Sequence, residues 1–191
     1  MILANRGVRK YIGTMKRFSA FLFTTALLLA AFTASAQSIP LLDKAAGHRV
    51  TFDYSYGYTS GGKTYDNVAS GKMTVQGSAY LLKGDGLEVY SDGKVRWTLD
   101  RSGKEAIVES VDAEDVMTNP AAIVAGYKSF DKSLKVNSSG TDSLDISLTM
   151  ENGQVSRFRL TGIRYAPEGA LSDFQFARSS LGSDWVVTDL R

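Results

Sequence analysis

Apolar and polar side chains alternate along most of the chain after residue 47. In residues 50–58, five apolar or aromatic side chains share one parity, and Thr, Asp, Ser and Gly occupy the other. Strict alternation of this kind predicts a half-buried β-strand. Shorter alternating runs recur along the chain, separated by Gly-rich turns such as residues 60–63 and 84–86. The pattern predicts about ten short strands in an antiparallel sheet with one apolar face.

The most regular part of this pattern is residues 87–108, where three short runs follow one another. The Asp92-Gly93 pair between the first two runs is a strong hairpin signal, because both turn residues can adopt positive φ. The apolar side chains of these two runs are Leu87, Val89, Val95, Trp97 and Leu99. We expect a meander in which these side chains form part of one apolar face.

Helical periodicity is confined to two short segments. Residues 39–46 begin with a Pro near the first turn, and residues 121–130 follow an Asn-Pro pair of the kind that starts helices. Strands are expected again at residues 134–136, 144–150 and 158–160, around Phe174 and Phe176, and at 185–191. Two short helices can cover only part of a ten-stranded face. The alternatives are a partly closed barrel with a hydrophobic ligand site and an ordinary packed β core.

The first 36 residues differ in kind from the rest. Five basic residues precede an apolar run at residues 18–32, and Ala34-Ser35-Ala36 has the small-x-small form of a signal-peptidase site. The apolar run is short for a membrane-spanning helix, which needs about 20 residues. We therefore expect a signal peptide cleaved after Ala36, followed by a single domain at residues 37–191.

The composition of residues 37–191 limits the kinds of partner that the protein is expected to bind. Removing the five basic residues of the leader leaves 17 Lys and Arg against 20 Asp and Glu, a formal charge of −3, which does not favour a nucleic-acid partner. The absence of Cys excludes disulfides and a lipid-modified cysteine at the cleavage site. In a Gram-negative cell, the expected location is the periplasm.

The candidate chemical motifs are weak. Residues 57–64 match the phosphate-binding loop pattern, but the mechanism requires a helix after the loop, whereas this sequence continues as a strand. A hydrolytic triad needs a general base, and the sequence contains a single histidine, His48. Acidic residues at 109–115 could bind Ca²⁺, as in a Ca²⁺-dependent hydrolase, but lack ligand-loop spacing. We expect no catalytic residue, no metal site and no cofactor.

Several segments resemble, in the same order, the Bacteroidetes-like form of the periplasmic outer-membrane lipoprotein carrier family, LolA. They are residues 77–82, the 91–97 hairpin, residues 105–108, the Asn119-Pro120 helix start with its following apolar positions, and the closing residues 187–191. The chain departs from the family's pattern in its shorter N-terminal helix. It also lacks the arginine that holds the family's lid shut, since Gln76-Gly77 stand at the corresponding place.

The resemblance implies a mainly β, LolA/LolB-like unclosed antiparallel half-barrel of about 10–11 strands, with short helices as a lid over a hydrophobic cavity. It implies a non-enzymatic, monomeric chaperone. The implied partners are triacylated lipoproteins, an inner-membrane ABC exporter, and an outer-membrane receptor or the membrane itself. An alternative on the same fold is a module that binds another lipid or senses envelope stress.

Parity and resemblance together give the expected site residues. The cavity walls are expected to be Phe52, Tyr54, Tyr56, Met73, Val75, Leu87, Val89, Val95, Trp97, Leu99, Leu144, Ile146 and Leu148. The lid is expected to be Leu41, Leu42, Ile123, Val124, Tyr127 and Phe130.

Overall fold

The structure is a computed structural model that describes residues 38–111, 121–130, 133–138 and 140–191. The expected signal peptide lies outside these residues, as do most of the acidic cluster and the Asn119-Pro120 helix start. The strands are β1 His48–Ser60, β2 Lys63–Gln76, β3 Ala79–Gly84, β4 Leu87–Ser91, β5 Val95–Asp100, β6 Glu105–Ser110, β7 Leu134–Ser138, β8 Leu144–Thr149, β9 Val155–Pro167 and β10 Val186–Asp189. The helices are α1 Pro40–Asp43 and α2 Ala121–Gly126, with 3-10 turns at Tyr127–Ser129, Leu171–Phe174 and Arg178–Ser180.

The ten strands of the described residues form one open sheet in the order β10-β6-β5-β4-β3-β2-β1-β9-β8-β7. Neighbouring strands are antiparallel except β10, which pairs parallel to β6. The predicted mainly β, antiparallel class is therefore confirmed. The long strand β1 lies inside the sheet, between β2 and β9, and joins the two halves of the sheet.

The predicted turns fall where the sequence places them. Gly61 and Gly62 have φ of 56° and 76°, and Gly93 has φ of 89°. These left-handed values suit glycine, which has no Cβ to clash with the backbone. β2 starts at Lys63, directly after the Gly pair. The phosphate-loop pattern is therefore a hairpin turn followed by a strand.

The hydrogen-bond register divides the side chains between two faces, because directly paired residues of an antiparallel sheet lie on the same face. Val50 pairs with Val75, and Val75 with Tyr80. On the other side of β1, Tyr54 pairs with Leu160, which pairs with Leu144. We call the face that carries these residues the inner face. It forms one hydrophobic core with residues of α1 and α2.

The prediction that the 87–108 meander has a single apolar face is wrong. Val89 pairs with Thr98, and Ser91 with Arg96, so the inner face of β5 is polar. The apolar residues of β5 lie on the opposite, outer face: Val95, Trp97 and Leu99. The apolar or aromatic residues paired with them on β4 and β6 are Tyr90, Ala106 and Val108.

The C-terminal segment between β9 and β10 covers this outer face. The ring centroid of Phe176 lies 5.1 Å from that of Tyr90 and 5.3 Å from that of Trp97. Phe174 is buried and Leu99 is fully buried, with 0% exposure. The predicted strand around Phe174 and Phe176 is wrong, because this stretch is a 3-10 turn, Leu171–Phe174, followed by extended chain. The sheet therefore has a hydrophobic layer on each face.

A polar cluster fixes this C-terminal segment to the sheet. The side chain of Gln76 exchanges two hydrogen bonds with the backbone of Gly169, at 3.0 and 2.9 Å. Gln76 also accepts a 3.0 Å hydrogen bond from Arg49 Nε. Arg49 pairs with Asp173 at 2.8 Å, and its guanidinium lies over the Phe174 ring. Gln76 is buried, so these bonds satisfy a polar group that would otherwise be costly to bury.

Candidate functional site

A pocket of about 390 Å³ lies between the two helices and one end of the inner face. Its volume is within the range of small-ligand sites, about 300–1,000 Å³. Its apolar lining comes from three places: Leu42 and Ala45 of the α1 segment, Val124 and Tyr127 of the α2 segment, and Val50 and Val75 of the sheet. Its charged or polar lining consists of Asp43, His48, Lys128 and Glu168. The pocket therefore combines an apolar lining with groups of both charges.

Both helices are held by their apolar side chains. Leu42, Ile123 and Val124 are buried in the same core as the inner face, and Leu41 and Phe130 pack against it while partly exposed. α1 has only four residues, too few for a helix to be stable alone, so its position depends on these contacts.

A hydrogen-bonded group joins the two helices across the pocket. Tyr127 donates to Asp43 Oδ1 at 2.7 Å, and the Ile39 N–H donates to the Tyr127 hydroxyl at 3.0 Å. Lys128 forms an ion pair with Asp43, and Ser38 donates to Asp43 Oδ2. Asp43 thus accepts from three side chains, two of which belong to the α2 segment. We call Asp43, Tyr127 and Lys128 the helix latch.

These contacts change how the latch titrates. The ion pair with Lys128, followed by the hydrogen bonds from Ser38 and Tyr127, holds the pKa of Asp43 well below its usual range. The same contact with Asp43 raises the pKa of Lys128. Both groups are therefore charged at neutral pH, and the latch is intact there.

A second contact fixes α1 to the sheet. Tyr165, on β9, donates a 2.6 Å hydrogen bond to the Leu41 carbonyl. Lys44 lies 4.5 Å from the Tyr165 ring centroid, and His48 meets the same ring edge-on at 6.1 Å. The exposed end of the α1 segment is therefore held by one aromatic side chain of the sheet.

The predicted cavity residues fall into four groups. Phe52, Met73, Leu144, Ile146 and Leu148 are buried in the inner-face core, and only Val75 of the predicted set lines the pocket. Tyr54, Tyr56 and Val89 are half-buried on the inner face, and Leu87 has inner-face parity with 41% exposure. Val95, Trp97 and Leu99 lie on the outer face and cannot share a wall with the others. Of the predicted helix residues, Leu42, Val124 and Tyr127 line the pocket.

An aromatic strip continues the inner face away from the helices. The ring of Tyr56 lies 5.0 Å from that of Phe158 and 6.2 Å from that of Tyr58. Tyr58 stacks on Tyr65 at 4.8 Å, and Tyr65 is exposed. We call these four residues the aromatic strip. It extends the apolar character of the inner face to the β1–β2 turn.

Several pocket residues were not expected from the sequence. Val50 has the same parity as Phe52, so strand periodicity already indicated its face. Asp43, Lys128 and Glu168 gave no such signal, because a charged residue at a helix or strand end is usually a solvated one. Only the meeting of α1, α2 and the end of β9 places them at one pocket.

No protein-family model matches the chain, and no curated protein is significantly similar to it. Within the described ranges, no helix is long and apolar enough to cross a membrane. Within the same ranges, no group of three or more His, Cys, Asp or Glu side chains is arranged to hold a metal ion.

Proposed function

We propose that the protein is a periplasmic lipoprotein carrier of the LolA type: an unclosed half-barrel that binds lipoprotein acyl chains on its inner face beneath a lid of α1 and α2. It receives triacylated lipoproteins from an inner-membrane ABC exporter. It releases them to an outer-membrane receptor or to the membrane itself. The support comes from the resemblance of the sequence and from the form of the inner face.

The observation that carries this proposal is the pocket between the helices and the inner face. Its lining is apolar apart from Asp43, His48, Lys128 and Glu168, and the core around it joins strands from both halves of the sheet to the helices. The cover consists of two short helices, held by a few buried apolar side chains and by polar contacts at their ends. A cover of this kind can move away while the sheet stays paired.

The small volume of the pocket means that the two helices must move before a whole lipoprotein can bind. A pocket of about 390 Å³ suits one small ligand, whereas a triacylated lipoprotein carries three long chains. Displacing α1 and α2 would expose the buried inner-face residues around Phe52, Met73 and Ile146 and join them to the aromatic strip. Burial of acyl chains gains about 0.8 kcal/mol per CH₂ relative to water, in the membrane as in the protein. The net free energy of transfer is then small, and ATP hydrolysis by the exporter sets its direction.

The test is a release assay. Protein recovered from the periplasm of an expressing cell is mixed with spheroplasts that hold a labelled triacylated lipoprotein. The proposal expects ATP-dependent appearance of label in the soluble fraction, in a one-to-one complex with the carrier. Absence of label in that fraction, with the exporter shown to be active on a known carrier, overturns it.

The small volume of the pocket favours a second candidate, a module that binds a single-chain lipid or senses a lipid released under envelope stress. Here α1 and α2 stay in place and the ligand fits the existing pocket. Mass spectrometry of co-purified lipid separates the two functions. A fatty acid or lysolipid supports the second, and a triacylated peptide supports the carrier.

A further inference from the structure

A second cavity, of about 470 Å³, lies at the middle of β1, β8 and β9, away from the helix-covered pocket. Its polar lining comes from Ser55, Asp66, Asn67, Asp145, Ser147, Arg157 and Arg159, and the other lining residues are Tyr56, Gly57, Ile146 and Phe158. On the sheet, Ser55 pairs with Arg159, and Gly57 with Arg157. These residues alternate with Tyr56 and Phe158 of the inner face, so the two arginines project from the outer face.

A β-bulge builds one wall of this cavity. The β1–β2 register shifts between Tyr56 and Tyr58, and Asn67 has a left-handed φ of 51°. The bulged chain passes close over Gly57, where an added Cβ would lie 2.6 Å from the Tyr65 carbonyl oxygen and 3.2 Å from the Asp66 Cα. Bulges commonly redirect a side chain next to a functional site. Here the bulge brings Asp66 to 3.6 Å from Arg157.

Arg157 has unused hydrogen-bonding capacity. Among the described residues, one of its five N–H donors forms a hydrogen bond, from Nη2 to the Thr59 hydroxyl at 2.8 Å. Its contact with Asp66 is longer than a hydrogen bond. Its Nε is buried and, within the described part of the chain, has no partner. Such a group calls for a missing partner, since buried donors are nearly always satisfied.

The other charged side chains around the cavity remain largely exposed to solvent. Arg159 donates from Nε to Asp145 at 2.7 Å, and the arginine side chain remains 66% exposed. The Asp66 side chain is 73% exposed, so it can swing into solvent. Displacement of Asp66 leaves Arg157 and Arg159, two residues apart on one strand, facing a cavity with the hydroxyl side chains Ser55 and Ser147 on its lining.

We propose that this outer-face cavity binds an oxyanion, a phosphate or carboxylate group, between Arg157 and Arg159. A guanidinium presents parallel N–H donors that match two oxygens of such a group. A small rotation of Arg157 on binding gives its Nε the acceptor that it lacks. The cavity lies on the opposite face from the proposed acyl-chain site, so this inference does not depend on the carrier function.

The experiment is a titration of the full protein with inorganic phosphate at low chloride, because salt screens such contacts. Binding is read from the side-chain Nε–H resonance of Arg157 and by calorimetry. The expected result is a saturable shift of that resonance. Arg157→Gln should abolish binding. Arg157→Lys keeps the charge but loses the parallel N–H donors of the guanidinium, and should weaken binding at least about tenfold.

The matched control is Arg164→Gln, on the same strand and exposed outside the cavity. It should bind phosphate as the wild type does, and circular dichroism should show every variant folded. If no resonance saturates, or if Arg164→Gln weakens binding as much as Arg157→Gln, the site does not exist and only water occupies the cavity.

A second experiment, with vesicles of phosphatidylglycerol and of neutral lipid, distinguishes a lipid headgroup from a dissolved anion as the source of the oxyanion. If the protein cosediments with the anionic vesicles, and both added phosphate and Arg157→Gln prevent this, the oxyanion is a lipid headgroup. Saturable phosphate binding without cosedimentation assigns a dissolved anion. Either result supports the site. Cosedimentation that is indifferent to Arg157→Gln, with no phosphate binding, overturns it.

Discussion

The Tyr127 hydroxyl bridges Asp43 and the backbone of Ile39, donating to the first at 2.7 Å and accepting from the second at 3.0 Å. One phenol thereby fixes the α1 segment to the α2 segment across 84 residues of sequence. The Tyr127 ring also lines the pocket. The hydroxyl and the ring can therefore be separated by mutation.

Tyr127→Phe keeps the ring in the core but removes both hydrogen bonds. We expect a loss of about 1–3 kcal/mol in the free energy of unfolding, because the buried Ile39 N–H loses its acceptor. Entry of a fluorescent fatty acid should become faster. The control is Tyr90→Phe, which removes the hydrogen bond from a tyrosine hydroxyl to Glu88 on the outer face, away from the latch. Equal entry rates in the two variants would show that the latch does not limit access.

Acid should weaken the latch. The folded-state pKa of Asp43 lies below its unfolded value of 3.8, so its contribution to stability is present above about pH 4 and is lost as pH falls toward the folded value. Urea unfolding between pH 6 and 2.5 should show a steeper decline for the wild type than for Asp43→Asn. Parallel pH profiles for the two proteins would contradict this assignment.

Leu99→Ala separates the two faces of the sheet. Leu99 is fully buried on the outer face, so its truncation should cost about 2–5 kcal/mol of stability. Lipid loading per folded molecule should stay unchanged, because the inner face is not altered. Val89→Asp, at a half-buried position of the inner face, is the matched variant and should reduce loading. The readouts are urea unfolding and bound fluorescent fatty acid; loss of loading in Leu99→Ala would contradict the face assignment.

Gln76→Ala should loosen the C-terminal segment. The variant loses three hydrogen bonds, two to Gly169 and one to Arg49. Amide hydrogen exchange should accelerate in residues 169–176, with a stability loss of about 1–3 kcal/mol. Gln154→Ala, at a hairpin turn, is the control. If exchange in residues 169–176 is the same in both variants, another contact holds the segment.

Strand parity predicted the elements but not their faces. Alternation placed β1 and β8 well, since each has one apolar parity over its length. In β2 it holds for Met73 and Val75 but not for Val68, which has the opposite parity. The faces of β4 and β5 follow from the turn between them: a loop with an even number of residues pairs odd positions of one strand with even positions of the next. The two-residue Asp92-Gly93 turn expected from the sequence already implies that Val89 and Trp97 lie on opposite faces, as the observed register has them.

The remaining differences depend on contacts distant in sequence. Phe174 and Phe176 alternate like a strand, but their partners are Arg49, Tyr90 and Trp97, which no local pattern relates to them. The latch likewise joins residues 84 apart. Whether a charged side chain such as Asp43 is solvated or bonded depends on such partners.

The pairing of β1 with β9 has a consequence for folding. Strands β1 to β6 join as successive hairpins and can form locally, whereas β9 reaches β1 only after a loop of more than about 90 residues has closed, which is slow. Part of the aromatic strip and the arginine cavity both lie across this late contact, since Tyr56, Phe158 and Arg157 belong to it. A nascent or half-folded chain therefore has neither surface. Ligand recognition begins only in molecules whose two halves have joined.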